Sequence, residues 1–232
     1  MDKSKTEIVL VIDKSGSMSC LRQTVIESVN AFLKDQKDCE GTASVTMYAF
    51  DDEVMVMQEC RPLEKVPELT RENYDPDGCT ALLDAVGTAI DDTGKRLAAM
   101  PEEQRPANVI IGIMTDGFEN SSRRYKWKDI ADRIAHQREK YSWRFMFFGA
   151  GMDAIEVASK MNIDRADSVT WDAGDADEVH AVMSSQSRRA KACRKVSMGT
   201  ASYAVRQDAC RSLSALMDEE RARIKKGKKG GK

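Results

Sequence analysis

The chain has 232 residues, of which 41% are hydrophobic and 32% are charged, and its formal net charge is −2. This length and composition favour one globular α/β domain and exclude a membrane-spanning protein, because no apolar run approaches the ~18 residues that a spanning helix needs. Seven basic and no acidic residues lie between Arg221 and Lys232, so the body of the chain is acidic and its end is basic.

The six cysteines and two histidines show no zinc-binding pattern, and the cysteines also bear on whether the compartment is reducing. No C-x-x-C pair and no paired histidines occur, so the common zinc-binding patterns are excluded. The first residues lead directly into an apolar strand and lack the apolar core of a signal peptide. We therefore expect a reduced cytoplasmic protein with free thiols. Cys20 and Cys79 are expected to be small buried thiols, with a redox role, in which oxidation displaces the neighbouring loop, as the alternative.

The first half of the chain alternates predicted strands and helices. The first strand is apolar on both faces, and the apolar stripe after it predicts a helix with Ser19 as its N-cap. A turn at Asp51 and Asp52 joins two further strands, of which we expect the second at a sheet edge. The predicted elements are strands at residues 8–12, 43–50 and 53–57, a helix after Ser17, and mostly loop over residues 61–79.

The alternation continues in the second half of the chain. Helices are predicted at residues 80–100, 127–141, 153–161 and 175–195, and strands at residues 108–115, 144–148 and 168–171. Strands that are mostly apolar on both faces and that alternate with helices are typical of a doubly wound, Rossmann-like α/β fold with helices on both faces of a parallel sheet.

The C-terminal segment departs from this pattern. Residues 203–217 predict one amphipathic helix that packs back on the domain, with a partner-binding helix as the alternative. Residues from about Lys225 onward are rich in lysine and glycine and cannot bury apolar surface, so we expect them to be disordered. A salt-sensitive contact of this basic tail with nucleic acid is the only route to nucleic acid that the sequence offers.

A candidate metal site begins where the first strand ends. Asp13 follows the apolar run, and Ser15 and Ser17 flank a glycine that permits a tight loop. A carboxylate with two hydroxyls offers only oxygen ligands, which Mg²⁺ prefers. The alternative for this short pattern is helix capping by the same side chains.

Two further loops can join this site. Thr80 delivers a hydroxyl at a predicted helix start, and Asp116 delivers a second carboxylate after a buried strand. Ligands of an open α/β sheet bind beyond the carboxyl ends of its strands, where the strand order reverses. The alternatives are an N-cap at Thr80 and a turn at Asp116-Gly117.

The motif D-x-S-x-S, followed by a threonine and then an aspartate, resembles the metal-ion-dependent adhesion site (MIDAS) of von Willebrand factor type A (VWA) domains. The matching residues are Asp13, Ser15, Ser17, Thr80 and Asp116. The resemblance covers residues 6–196 and leaves residues 197–232 as the C-terminal helix and basic tail. It implies a six-stranded sheet in the order 3-2-1-4-5-6 with one antiparallel edge strand, in a stand-alone intracellular protein of bacterial or phage type.

The same resemblance implies the chemistry of the site. Ser15 and Ser17 would bind Mg²⁺ directly, Thr80 directly or through water, and Asp13 and Asp116 largely through water, with Mn²⁺ or Ca²⁺ as substitutes. A metal held mainly by neutral oxygens stays electrophilic, so an Asp or Glu carboxylate of a protein partner can complete its shell. The implied function is a non-catalytic adaptor or scaffold, for which an AAA-type ATPase system is a candidate partner.

The surroundings of the site favour a positively charged partner surface. An acidic rim is expected around the metal, so the partner should surround its carboxylate with Lys or Arg. Solvated loops without a binding role are the alternative for these acids, which are Asp51, Asp52, Asp75, Asp77 and Glu119.

The alternative function is an Mg²⁺-dependent hydrolase or phosphatase that uses the same site. A strand-end aspartate is similar to the nucleophile of haloacid-dehalogenase phosphatases, but that family needs a second carboxylate where this chain has Ser15. His136 and His180 lie in predicted helices without a nucleophile motif, so we expect no enzyme activity.

Overall fold

The computed structural model describes residues 1–150, 154–172 and 175–230. Its strands are β1 (Asp2–Asp13), β2 (Thr42–Phe50), β3 (Val54–Pro62), β4 (Pro106–Thr115), β5 (Arg144–Ala150) and β6 (Ser168–Trp171). Its helices are α1 (Arg22–Lys37), α2 (Leu82–Ala98), α3 (Trp127–Tyr141), α4 (Ala154–Lys160), α5 (Ala176–Met198), α6 (Tyr203–Cys210) and α7 (Leu213–Gly230). Residue 153, the predicted start of α4, lies outside the described residues.

The six strands form one sheet in the order β3-β2-β1-β4-β5-β6. β2 and β3 pair antiparallel, and the other neighbours pair parallel, so the predicted order and antiparallel edge strand are confirmed. Asp13 is in register with Phe50 of β2, and Ile12 with Met114 of β4. The strand order reverses at β1, so the loops after β1, β2 and β4 leave the same edge of the sheet at its switch point.

Helices cover both faces of the sheet because β1 is apolar on both faces. Ile8, Leu10 and Ile12 pack in a core with α1 and α5, whereas Val9 and Val11 pack in a second core with α2, α3 and α4. All five side chains are at most 3% exposed. Burial of one aliphatic side chain contributes ~1.5–3 kcal/mol, so β1 is a central source of stability and a rigid support for Asp13.

The first helix begins later than the sequence predicted. Residues Gly16–Leu21 form a 3₁₀ turn, and α1 starts at Arg22 without a side-chain cap. Ser19 is not the N-cap, because its hydroxyl donates to the carbonyl oxygen of Pro76 at 3.3 Å. The extra turn carries the chain from the switch point to the helix layer.

The C-terminal segment forms two helices in place of the single predicted one. Arg211 is extended between α6 and α7, and the hydroxyl of Ser212 accepts a hydrogen bond from the backbone N–H of Ala215 at 3.3 Å. The apolar face is buried as predicted, at Leu213, Leu216, Met217 and Ala209. The break lets both helices pack on α5.

Helix α7 extends through Gly230, where the sequence predicted disorder from about Lys225. Two i,i+3 ion pairs, Asp218 to Arg221 and Glu220 to Arg223, each at 2.7 Å, support this helix. Lysine has a high helix propensity, and positive charge near a helix C-terminus is favourable. Residues 231 and 232 lie outside the described residues.

The membrane and cysteine expectations can be compared with the structure directly. Among the described residues, no helix combines the length and the hydropathy that a membrane crossing requires. All six cysteines are free thiols. Cys39 and Cys193 are buried, but Cys20 and Cys79 are exposed, so their predicted burial is wrong. Cys20 lies in the 3₁₀ turn before α1, and Cys79 lies in the loop before α2.

Candidate metal centre

Asp13 is held rigidly at the end of β1, and it is fully buried. One carboxylate oxygen accepts the backbone N–H of Ser15 at 2.7 Å, and the other accepts the hydroxyl of Thr115 at 2.5 Å. Its own carbonyl oxygen accepts the hydroxyl of Tyr74 at 2.7 Å. Both the backbone and the side chain of Asp13 are therefore fixed by neighbours from three different segments.

Hydroxyl groups connect this carboxylate loop to Asp116. The side-chain oxygens of Ser15 and Ser17 lie 3.2 Å apart, and the hydroxyl of Ser17 donates to Asp116 at 2.6 Å. Ser15 is buried, whereas Ser17 is exposed at the mouth of the site. The site thus has a closed floor and an open side.

Thr80 meets the same cluster across Gly117. A methyl group built on Gly117 would lie 2.7 Å from the hydroxyl oxygen of Thr80 and 3.6 Å from a carboxylate oxygen of Asp13. Any larger side chain at this position would displace the threonine hydroxyl. The structure therefore brings all five predicted residues, which are Asp13, Ser15, Ser17, Thr80 and Asp116, to one edge of the sheet.

Backbone hydrogen bonds tie the loop after β1 to the loop before α2. Gly16 donates its N–H to the carbonyl oxygen of Gly78 at 3.1 Å, and Asp77 donates to that of Lys14 at 2.8 Å. Gly78 has φ +78°, a left-handed conformation that favours glycine. This turn presents Thr80 to the site.

A second clamp joins the segment after Asp116 to the start of α2. Asn120 accepts the N–H of Thr80 at 2.9 Å and donates its own N–H to the carbonyl oxygen of Thr80 at 3.1 Å. Asp84 accepts three backbone N–H groups at 2.9–3.0 Å, those of Arg123, Arg124 and Tyr125. Sequence reasoning missed Asn120, Asp84 and Thr115. The position of Thr115 beside Asp116 was the available signal.

The acidic rim is smaller than the sequence predicted. Asp51 pairs with Lys14, and Asp75 pairs with Arg22 at 2.8 Å. Glu119 is turned inward, where it accepts the N–H of Leu83 at 2.9 Å. A carboxylate at a helix N-terminus is stabilised there by the helix dipole. The rim acids that remain exposed without an ion pair among the described residues are Asp52 and Asp77.

The ionised forms of the two site carboxylates, Asp13 and Asp116, are disfavoured in the absence of a cation. Burial raises the pKa of Asp13 to about 6, and the negative charge of Asp116 adds to this, although hydrogen bonds from Thr115 and Ser15 oppose it. Burial also raises the pKa of Asp116, against the hydrogen bond from Ser17. No basic side chain of the described residues bonds to either carboxylate. A cation at the site would remove this cost.

The donor set fits a hard divalent cation. It consists of two carboxylates and three hydroxyls, all oxygen donors, which suit Mg²⁺, Mn²⁺ or Ca²⁺. Within the described ranges, no group of three or more His, Cys, Asp or Glu side chains is placed to hold a metal. The hydroxyls are therefore essential members of any metal shell here.

Comparisons with known proteins identify the fold. Proximal thread matrix protein 1 from the mussel byssus, in a structure with a zinc-occupied MIDAS motif, aligns with a TM-score of 0.52 and 15% identity over 82% of this chain and 47% of that one. A von Willebrand factor type A protein from Catenulispora acidiphila aligns with a TM-score of 0.51 and 13% identity over 81% of this chain and 43% of that one.

This chain spans less than half the length of either structure. No protein-family model matches the sequence, and no curated protein matches it. Similarity at these identities is evidence about architecture alone. Together with the sheet order and the converging loops at the switch point, it identifies the chain as having the von Willebrand factor type A fold.

Proposed function

We propose that this protein is a metal-dependent binding module that captures a carboxylate of a protein partner through Mg²⁺. The observation that carries the proposal is the pair of carboxylates formed by buried Asp13 and half-buried Asp116, which have hydroxyl partners but no basic partner among the described residues. A structural site without a ligand would pair such charges with Lys or Arg. The zinc-occupied MIDAS motif of the mussel protein supports a divalent ion at the equivalent edge.

Each residue of the site has a separate task in this proposal. Ser15, Ser17 and Thr80 would hold the cation with neutral oxygens, and Asp13 and Asp116 would balance its charge. When bound, the metal supplies an electrophilic centre that accepts a partner's carboxylate. The chain's own contribution is a rigid, mostly buried cradle that is open on the side of Ser17.

We propose binding rather than catalysis because neither histidine lies at the site, and its two carboxylates are the groups that would balance the charge of the cation. Position 15 is a serine, where a phosphatase of the haloacid-dehalogenase type needs a carboxylate. His180 is on α5 and bonds to Ser28 of α1 at 2.9 Å, in the helix layer rather than at the switch point. An Mg²⁺-dependent phosphatase assay on generic substrates tests this part of the proposal.

The setting of the module is also a proposal. The free thiols support a reducing compartment such as the cytoplasm. An AAA-type ATPase system remains the candidate partner that the family resemblance implies. A pulldown in Mg²⁺ and in EDTA tests the partner assignment.

Calorimetric titration with Mg²⁺ tests the metal site itself. We expect the full chain to bind Mg²⁺, and Asp13→Ala and Asp116→Ala to lose that binding while keeping a cooperative melt. Asp132→Ala is the matched control, because Asp132 is an exposed carboxylate on α3 whose partner is Lys128 of the same helix. Equal Mg²⁺ affinity in the wild type and both site variants would overturn the proposal.

A further inference from the structure

The switch-point edge is asymmetric around the proposed metal site. In the sheet, β2 lies on one side of β1 and β4 lies on the other. Asp52 follows β2, and Phe118 follows β4, so these residues lie on opposite sides of the loop that carries Asp13. A partner segment that crosses the metal therefore meets different chemistry on its two sides.

The β2 side is negatively charged. Asp52 and Asp77 are exposed and lie at the turn around Gly78. One oxygen of Asp52 accepts the N–H of Cys79 at 3.1 Å, and one oxygen of Asp77 accepts the N–H of Gly78 at 2.8 Å. Each carboxylate is thus fixed in place while its second oxygen stays available to a basic side chain.

The β4 side is aromatic. Phe118 is 64% exposed, although it is a large apolar residue. Its exposure is not that of a loose loop, because both neighbours are fixed: Gly117 bonds to the hydroxyl of Thr115 at 3.1 Å, and Glu119 bonds to the N–H of Leu83 at 2.9 Å. An exposed aromatic side chain between fixed neighbours is a typical interface anchor, because little backbone entropy is lost when it is covered.

A hollow of about 260 Å³ adjoins Phe118 on this side. Its other apolar walls are Trp127 and Val157, and its rim carries Glu156 and Lys160, which pair with each other at 2.8 Å. A cavity of ~150 Å³ is enough for a benzene-sized group. The hollow therefore has room for one large apolar side chain. Of its charged groups, Glu156 and Lys160 pair with each other, and Glu119 accepts the N–H of Leu83.

We propose that the partner segment binds with its acidic residue at the metal, a Lys or Arg toward Asp52 and Asp77, and a large apolar side chain in the hollow beside Phe118. This inference rests on the proposed function and names the partner class of the same site. The charge complementarity on the β2 side and the continuity of the hollow with Asp116 through Phe118 both support this occupant.

Selection of a phage-displayed random heptapeptide library against the full chain tests the inference. Peptides are bound in Mg²⁺ and eluted with EDTA. The expected consensus joins an acidic residue with a basic residue on one side and a large apolar residue on the other. A consensus with an acidic residue but no apolar preference would overturn the inference and leave the proposed function standing. No EDTA-eluted enrichment would overturn the proposed function and, with it, the inference.

Substitutions in this chain then test which residues bind the apolar and the basic side chains of the selected peptides. The synthetic consensus peptide should bind Phe118→Ser about tenfold or more weakly than wild type, since loss of an interface anchor has effects of this size, whereas Mg²⁺ affinity should stay within about twofold. Tyr203→Ser is the matched control, because Tyr203 is 78% exposed on α6. Asp52→Asn with Asp77→Asn should weaken only peptides that carry the basic residue. Unchanged peptide affinity in Phe118→Ser would overturn the apolar subsite.

Discussion

Asp13→Asn measures most directly how much the ionised carboxylate of Asp13 destabilises the folded protein when no metal is bound. The change keeps the size of the side chain and removes its charge. The amide oxygen can still accept the N–H of Ser15, and the amide nitrogen can donate to the hydroxyl of Thr115, which has the carbonyl oxygen of Gly117 at 3.2 Å as an alternative acceptor. The variant therefore tests the charge rather than the packing.

The expected magnitude follows from the pKa of Asp13. Burial raises this pKa from 3.8 to about 6, a shift of roughly two units, and each unit corresponds to 1.36 kcal/mol between the protonation states. At pH 8 in EDTA, the ionised carboxylate therefore costs the wild type about 3 kcal/mol of folding free energy. We expect Asp13→Asn to be more stable than the wild type by about 1–3 kcal/mol, the lower value allowing for imperfect amide hydrogen bonds.

The pH dependence has a definite sign. The folded-state pKa of Asp13 lies above its unfolded value, so the folded wild type binds more protons between pH 4 and pH 6. The stability of the wild type relative to Asp13→Asn should rise as the pH falls through this window, and the gap should close below about pH 4. Urea unfolding of both proteins across this range measures the gap.

Saturating Mg²⁺ should reverse the order of stability. A ligand at ~1,000 times its dissociation constant stabilises the folded state by ~4.1 kcal/mol, which exceeds the expected gap, and this gain belongs to the wild type. Asp75→Asn, which changes an exposed acid paired with Arg22, is the control and should show neither effect. The reasoning would be refuted if Asp13→Asn were no more stable than the wild type in EDTA at pH 8, or if Mg²⁺ stabilised both proteins equally.

Two other substitutions give sharp outcomes. Gly117→Ala should lower Mg²⁺ affinity at least about tenfold in calorimetry, because its methyl group would lie 2.7 Å from the hydroxyl oxygen of Thr80. Gly94→Ala is the control and should not change the affinity, because its methyl group would make an ordinary 3.6 Å contact with Gln137. Arg96→Met should lower the free energy of unfolding by ~3–5 kcal/mol in urea, because it leaves the fully buried Glu7 without its cation. The double variant with Glu7→Gln should recover much of that loss, and an undiminished loss would contradict the ion-pair explanation.

The sequence by itself determined the sheet and the residues at its edge. Period-two and double-sided apolar runs predicted all six strands, and the helix from Trp127 to Tyr141 has the predicted bounds. The D-x-S-x-S motif, Thr80 and Asp116 could be found because each is adjacent to a strand or helix boundary that local periodicity reveals. Hydrophobic periodicity is a local property of the chain, so it can be read from the sequence without knowledge of the fold.

Only the tertiary structure decided which polar side chains point into the site and which bond to the backbone of the neighbouring loops and helix. Glu119 lies three residues after Asp116 in the sequence, yet it turns inward to the N-terminus of α2, because unsatisfied N–H groups are available there. Asp84 and Asn120 clamp the loop after β4, and Phe118 remains exposed between clamped neighbours. Their partners are 36 to 41 residues away in the chain, so no local pattern encodes these contacts. The path of the loops across the switch point brings the groups together, and that path is set by the packed sheet.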